Sequence, residues 1–328
     1  MPEQRWTARW IFPVSGPPIE NGTLIASDGV IEDVWPSQDA RALDLGPVAL
    51  IPGLVNAHTH LEFSDLNAPL AAPGCNFFEW IPFVVAYRLR RSLAGASAVR
   101  RALERGLREC HGTATAVVAD IVTTEYEPAQ FPGPRSQLVL FRELYTLRPK
   151  QISPQLELAR RHLERFGPAS EGIAAVGGLS PHAPYTVHPE LFEKLIELAR
   201  RHRAPVAMHL AETEAERELL ECGTGPCVEL LRRFGLWKAN LFERGVTILD
   251  YLRKLAETER ALVIHGNYLN NDDIAFLADH PHLCVVYCPR SHAYFGHRPH
   301  RWQQMLDQGV SVAIGTDSRA SNPDLSVW

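Results

Sequence analysis

Cysteine is scarce here, with 6 in 328 residues, and those six are scattered along the chain. Cys222 and Cys227, or Cys284 and Cys288, give at most half a zinc knuckle, since neither has a second Cys or His pair at the needed spacing. The start, Met1-Pro2-Glu3-Gln4-Arg5-Trp6, has no apolar signal core. Charge, Pro or Gly also interrupts every apolar run before it reaches the length of a membrane span. Scattered thiols behind no signal peptide imply a reducing, cytoplasmic location. Strong charge of one sign is absent as well: a net −5 gives no reason to expect DNA, RNA or an anionic membrane as partner. A small-molecule substrate is the partner left, and a homo-oligomer stays open.

What is present suits a globular enzyme, with 45% hydrophobic and 22% charged residues. The length allows one large α/β barrel or two ordinary domains. Residues 1–47 carry short β-prone stretches broken by Gly and Pro turns, as in a small antiparallel sheet. From residue 48 to 328 apolar strands alternate with amphipathic helices. Strands are expected at 48–57, 114–121, 137–145, 173–179, 205–209, 261–265, 283–288 and 310–315. Such alternation predicts an α/β fold, a TIM (β/α)8 barrel preceded by a small β-sheet, half of a composite sandwich. Two insertions, 61–95 and 213–260, exceed ordinary loop length. The first is rich in aromatics (Phe63, Phe77, Phe78, Trp80, Phe83), which suits a substrate wall or plain packing under a long loop.

Histidine is abundant, with 14 residues. His58-Thr59-His60 ends the first barrel strand, where period-two alternation turns both imidazoles to one face. Chance alone gives roughly 0.6 His-x-His pairs in such a chain. A second pair, His280-Pro281-His282, indeed falls at the barrel's opposite end and carries no assignable role. Position distinguishes the first pair. Three later strands also end in metal-compatible groups, His209, His265 and Asp317, and the C-terminal ends of barrel strands converge on one face.

The motifs Pro52-Gly53-Leu54-Val55-Asn56-Ala57-His58-Thr59-His60, His209-Leu210-Ala211-Glu212, Val263-Ile264-His265-Gly266, Cys288-Pro289-Arg290-Ser291 and Gly315-Thr316-Asp317-Ser318 occur in that order. Together they resemble the amidohydrolase superfamily, in its mononuclear deaminase and chlorohydrolase branch. The resemblance implies one divalent metal, zinc first and iron(II) as the alternative, held by His58, His60, His209 and Asp317. It makes Glu212 the proton shuttle and sets His265 outside the ligand set, orienting the water, with Asp317 also touching that water. Chemically, glutamate can take a proton from water and pass it to a ring nitrogen and a leaving amine. The bland alternative for Glu212 is a solvated carboxylate at a helix start. Strand four ends Ser180-Pro181-His182-Ala183-Pro184-Tyr185, without the lysine or glutamate that bridges two metals in binuclear relatives. Glu143 on strand three is expected behind the site. The unrelated zinc deaminases that pair His-x-Glu with Pro-Cys-x-x-Cys are excluded, because the latter motif does not occur.

Residues 180–185 resemble the matching segment of deaminases of S-adenosylhomocysteine and methylthioadenosine, which implies a substrate contact for His182. The run Leu61-Glu62-Phe63-Ser64 after His60 looks more like the aminodeoxyfutalosine deaminases, with Glu62 a candidate for ribose hydroxyls or an amino group. Arg148 is a candidate for a substrate carboxylate, or a surface charge. The expected function is hydrolytic deamination of an adenine-type nucleoside or related aminated heterocycle. A cyclic-amide hydrolase of the imidazolonepropionase kind and a triazine chlorohydrolase would use the same metal shell. A non-catalytic scaffold should have lost a ligand, and none is missing. The family pattern continues past strand eight, so an incomplete chain is expected, stopping at Trp328 with 321–325 as the start of helix eight.

Overall fold

A computed structural model of the chain describes residues 3–124, 126, 136–167, 175–238, 241–242 and 245–328. It comprises two compact units, Met1–Leu54 and Val55–Trp328. The first holds strands β1 (Gln4–Ile11), β2 (Ile19–Ser27), β3 (Val30–Trp35), β4 (Leu43–Asp44) and β5 (Ala49–Leu50). β1 and β2 pair antiparallel, as do β2 and β3, while β4 and β5 each run parallel to β1. One expectation needs correcting here. Residues 49 and 50, assigned from the sequence to the first barrel strand, pair instead with Trp10 and Ile11. Pro52 lacks the N–H that a continuing ladder requires, so the run breaks and the barrel strand starts later. The two units divide at Leu54.

In the second unit β6 (Leu54–Thr59), β7 (Thr115–Val122), β8 (Gln137–Leu144), β9 (Ala175–Pro181), β10 (Val206–Leu210), β11 (Ala261–His265), β12 (Leu283–Tyr287) and β13 (Ser311–Ile314) form one 8-stranded sheet in chain order. Each strand after the first follows a crossover, and the recorded ladders are parallel. The barrel is drawn together between its first and last strands. Asp317 N–H donates to the His58 carbonyl (3.0 Å), and Thr59 and Asp317 form a parallel bridge. Asn56, fully buried, donates through Nδ2 to Thr316 Oγ1 (2.7 Å) and accepts from Thr316 N–H (3.0 Å). The seam thereby sets β6 beside the segment after β13, bringing the two ends of the site together.

Strand β10 is buried along its whole length, as expected for a strand covered on both faces. The helices follow their sequence signals. In α4 (Pro189–His202), Pro189 takes the first turn, His188 accepts Glu190 N–H as N-cap, and Leu191, Leu195 and Ala199 face inward. The insertion after β6 contains α1 (Phe77–Ala94), which precedes α2 (Ala96–Gly112); α3 (Ile152–Phe166) follows β8. The insertion after β10 contains α5 (Glu214–Cys222), α6 (Pro226–Arg233) and α7 (Ile248–Leu255). Helix α8 (Asn271–Ala278) follows β11, and α9 (Pro289–Tyr294) and α10 (Trp302–Asp307) follow β12. Phe77 and Tyr185 share an apolar cluster with Leu231, so these insertions pack as an ordered wall.

A second expectation fails at residues 321–325, which form no helix. Asn322 donates to the Thr316 carbonyl (2.7 Å) and accepts from Asp324 N–H (3.5 Å), side-chain bonds that hold the segment in turns instead. Among the described residues no helix is long and apolar enough to cross a membrane.

Candidate metal centre and active site

The C-terminal strand ends carry the site. His58 lies in β6 and His60 just after it, His209 in β10, and His265 closes β11. Asp317 follows β13, and Glu212 lies two residues past the end of β10. All six are buried, with exposures between 0% and 7%. Candidate donor atoms of His58, His60 and Asp317 lie within 4.8 Å of one another, as do those of His58, His209 and His265. His58 Nε2 is 3.6 Å and His60 Nε2 3.8 Å from Asp317 Oδ1, while His60 Nε2 and His209 Nε2 are 3.3 Å apart.

These side chains fit a cation. Both ring nitrogens of His58 and Nδ1 of His60 are buried without a protein partner, which is costly for groups shielded from water. His209 Nδ1 faces the His182 carbonyl at 3.0 Å, a contact that requires an Nδ1–H donor and leaves a neutral ring's Nε2 lone pair pointing inward. Burial, and then His58, pushes His60 well below the usual imidazole range; burial with His182 and His58 does the same to His209. Neutral rings are what metal ligation requires. Burial opposes ionisation of Asp317, yet His58, His265 and His60 together hold its carboxyl well below the usual range. Its other oxygen, Oδ2, accepts from Ser321 Oγ (3.0 Å), which lies 2.7 Å from Ser291 Oγ. The Cys-Pro-Arg-Ser segment therefore orients a candidate ligand, a role its sequence did not disclose.

Two catalytic candidates stand beside the cluster. Glu212 Oε1 is 3.3 Å from His265 Nε2. Burial, then Asp317 and Glu216, raises the Glu212 carboxyl well above its usual value, which makes its carboxylate a stronger base than in water. His265 adopts φ 69° and Asp317 φ 58°, left-handed backbone that costs a non-glycine residue free energy and concentrates at functional sites. His265 shares a donor group with His58 and His209, which sets it beside the candidate ligands.

A cavity of about 620 Å³ opens on this cluster. His60, His209, Glu212, His265 and Asp317 line one part; Phe77, Trp80, Leu231 and Phe234 form an apolar part. His182 and Arg148, the candidates for substrate contact, both line it. His182 Nδ1 is 2.8 Å from Thr186 Oγ1, and burial followed by Arg88 lowers its pKa to about 3, so it works as a neutral ring. Glu62 is placed differently. Its carboxylate accepts from Arg88 (2.7 Å) and Thr123 Oγ1 (2.9 Å), and Arg88 rather than Glu62 lines the cavity. Arg88 Nη1 also lies 3.0 Å from the fully buried side chain of Glu143, in keeping with the place expected for that carboxylate behind the site.

Sequence inspection missed Arg88, Asp120, Glu216 and Asn267. Asp120 Oδ1 accepts from Leu61 N–H (2.8 Å) and Thr59 Oγ1 (3.2 Å), gripping the chain on both sides of His60. The only signal for Arg88 was its place in the aromatic insertion after the first strand. The pair His280 and His282 bonds instead to the carbonyls of Phe276 (2.7 Å) and Ala256 (3.1 Å).

Gly315 leaves no room for a side chain. A Cβ there would meet His58 Cβ at 2.8 Å and Cys288 Sγ at 3.1 Å, and His58 Cβ cannot move without its strand. Gly315→Ala is expected to lower bound metal per chain at least about tenfold at limiting metal, since a ligand moved by a few tenths of an ångström leaves the distance range of a first-row ion. Elemental analysis of purified variant and parent checks this; equal metal content refutes it.

An α/β barrel with a histidine–carboxylate cluster and an acid at its C-terminal mouth defines a class, the barrel hydrolases with a candidate metal centre. The sequence profile described as "Amidohydrolase family" matches residues 49–328, and the chain belongs to that family. It is 31% identical over 318 residues to aminodeoxyfutalosine deaminase of Deinococcus radiodurans, covering 93% of this chain and 72% of that protein. It is 28% identical over 327 residues to 5-methylthioadenosine/S-adenosylhomocysteine deaminase of Bacillus cereus, covering 94% and 68%. The fold is also that of Helicobacter pylori aminofutalosine deaminase, with TM-score 0.80 at 17% identity over 99% of this chain and 78% of that one. An adenosine deaminase from Xanthomonas campestris with bound zinc superposes with TM-score 0.71 at 22% identity, covering 98% and 71%.

Proposed function

We propose that this chain is a metal-dependent deaminase that hydrolyses an adenine-type nucleoside, or a related aminated heterocycle, to release ammonia. One observation carries the proposal: His60, His209, Asp317, Glu212 and His265 line one part of a cavity of about 620 Å³, with His58 buried in the same donor cluster. That volume suits a nucleoside-sized ligand. The deaminase names borne by the Deinococcus and Bacillus relatives support the same substrate class.

His58, His60, His209 and Asp317 would hold one divalent ion. The nitrogen-and-carboxylate donor set supports zinc, as does the bound zinc of the Xanthomonas adenosine deaminase, with iron(II) the alternative. When bound, such an ion supplies a water activated at neutral pH. Glu212 takes one proton of the attacking water and hands it to the ring nitrogen, then takes the remaining proton of the added hydroxyl and passes it to the departing amine. His265 donates from Nε2 to the oxygen as negative charge develops on it. His182 and Arg148 face the remainder of the substrate, and Glu62 acts through Arg88, which it holds in place.

The test is ammonia release from adenosine, S-adenosylhomocysteine, 5-methylthioadenosine, aminodeoxyfutalosine, guanine and cytosine by metal-loaded protein. Turnover is expected with at least one adenine nucleoside, and not with cytosine. Ammonia from none of them, or chloride release from a chlorotriazine in their place, would refute the proposal.

A further inference from the structure

Building on the proton-transfer role proposed for Glu212, we infer that Glu216 is its positioning residue, a buried carboxylate that locks the backbone on which Glu212 stands. Glu216 lies in the first turn of α5 and is fully buried. Its Oε1 accepts from Ala211 N–H (2.8 Å) and its Oε2 from Glu212 N–H (3.2 Å). The two carbonyls of the same dipeptide are held as well: Ala211 O accepts from Tyr268 N–H (2.9 Å), and Glu212 O accepts from Asn267 Nδ2 (3.1 Å). Every backbone polar group of Ala211 and Glu212 is thus occupied, and one carboxylate supplies half of the partners.

The lock is needed because the turn does not hold itself. Ala211 has φ 54°, a left-handed conformation that an L-residue adopts only when its surroundings impose it. Released, residue 211 would relax toward extended or right-handed backbone and swing the Glu212 side chain away from His265 and Asp317.

Ordinary helix capping does not account for Glu216. Thr213 and Glu216 have the spacing of a capping box, in which the glutamate would reach back to the N–H of the cap residue itself. Thr213 already caps α5 by accepting Glu216 N–H (3.3 Å). The carboxylate passes beyond the cap to residues 211 and 212. A fully desolvated acid is destabilising unless its acceptors are satisfied, and here backbone donors next to the catalytic residue satisfy them.

Glu216→Gln keeps the shape but turns an NH2 group toward one of the two N–H donors, so the lock opens on one side. In metal-loaded protein, kcat for ammonia release is expected to fall roughly 10- to 100-fold with KM within about threefold, the cost of misplacing a catalytic group by about an ångström. Metal content should be unchanged, and the double variant E212Q/E216Q should be no slower than E212Q, because a positioning residue has nothing left to position. Independently of activity, the Ala211 and Glu212 amides should exchange hydrogen at least about tenfold faster in Glu216→Gln, with α5 beyond its first turn unaffected. Loss of turnover in E212Q but parental kcat in E216Q, a further loss in the double variant, or unchanged amide exchange would each overturn the inference. Turnover that survives in E212Q would remove the proton-transfer role of Glu212 and this inference with it.

Discussion

Glu212→Gln is expected to lower turnover by roughly 10²- to 10⁴-fold, the range set by removing a general acid–base group, while the protein keeps its metal. The substitution preserves volume and leaves an oxygen that can face His265 Nε2, 3.3 Å from Oε1 in the parent. What it removes is the capacity to carry a proton. Burial, then Asp317 and Glu216, raises the Glu212 carboxyl well above its ordinary value. The direction matters: the carboxylate is a stronger base than in water and draws a proton from the attacking water more readily. The resulting acid then stands protonated beside the leaving amine. Single-turnover kinetics with metal analysis on the same sample make the comparison clean. A variant that keeps its metal and turns over within about twofold of the parent would end this assignment.

Removing the metal should abolish turnover outright and also destabilise the fold. The cluster sets unpartnered imidazole nitrogens and a carboxylate together in a buried place. A ligand that binds only the folded chain stabilises it by about 4 kcal/mol at a concentration a thousandfold above its Kd. Dialysis against a chelator should therefore lower the melting temperature by several degrees, and stoichiometric zinc or iron(II) should restore both stability and activity. His209→Ala should mimic the chelator and be insensitive to added metal. Full activity in chelated protein shown by elemental analysis to be metal-free would eliminate the proposed chemistry.

Some of this was legible before any coordinates. The barrel strands were recognisable because β10 and its neighbours are short apolar runs between amphipathic helices, a pattern that needs only local periodicity. His58 and His60 share a face because side chains alternate along an extended chain. The first strand was placed too early because residues 48–57 read as one apolar run, whereas hydrogen-bond partners divide it at Pro52. Helix eight was expected from Pro323 near a first turn, but Asn322 and Asp324 bond locally and keep the segment in turns. Glu62 is a candidate substrate ligand because it follows His60 so closely; the packing of α1 adds Arg88, which bonds the Glu62 carboxylate and itself lines the cavity.

By itself, then, the order of residues determined the alternation of strands and helices and the donors placed at strand ends, since both follow from side-chain periodicity and chemistry within a few positions. The tertiary structure alone decided which carboxylates reach the cavity and which hold other groups. It tied Ser291 and Ser321 to Asp317, Asp120 to the turn at His60, and Asn267 to the backbone of Glu212. Those partners lie far apart in sequence and come within hydrogen-bonding distance only because eight parallel strands close and bring their ends to one mouth.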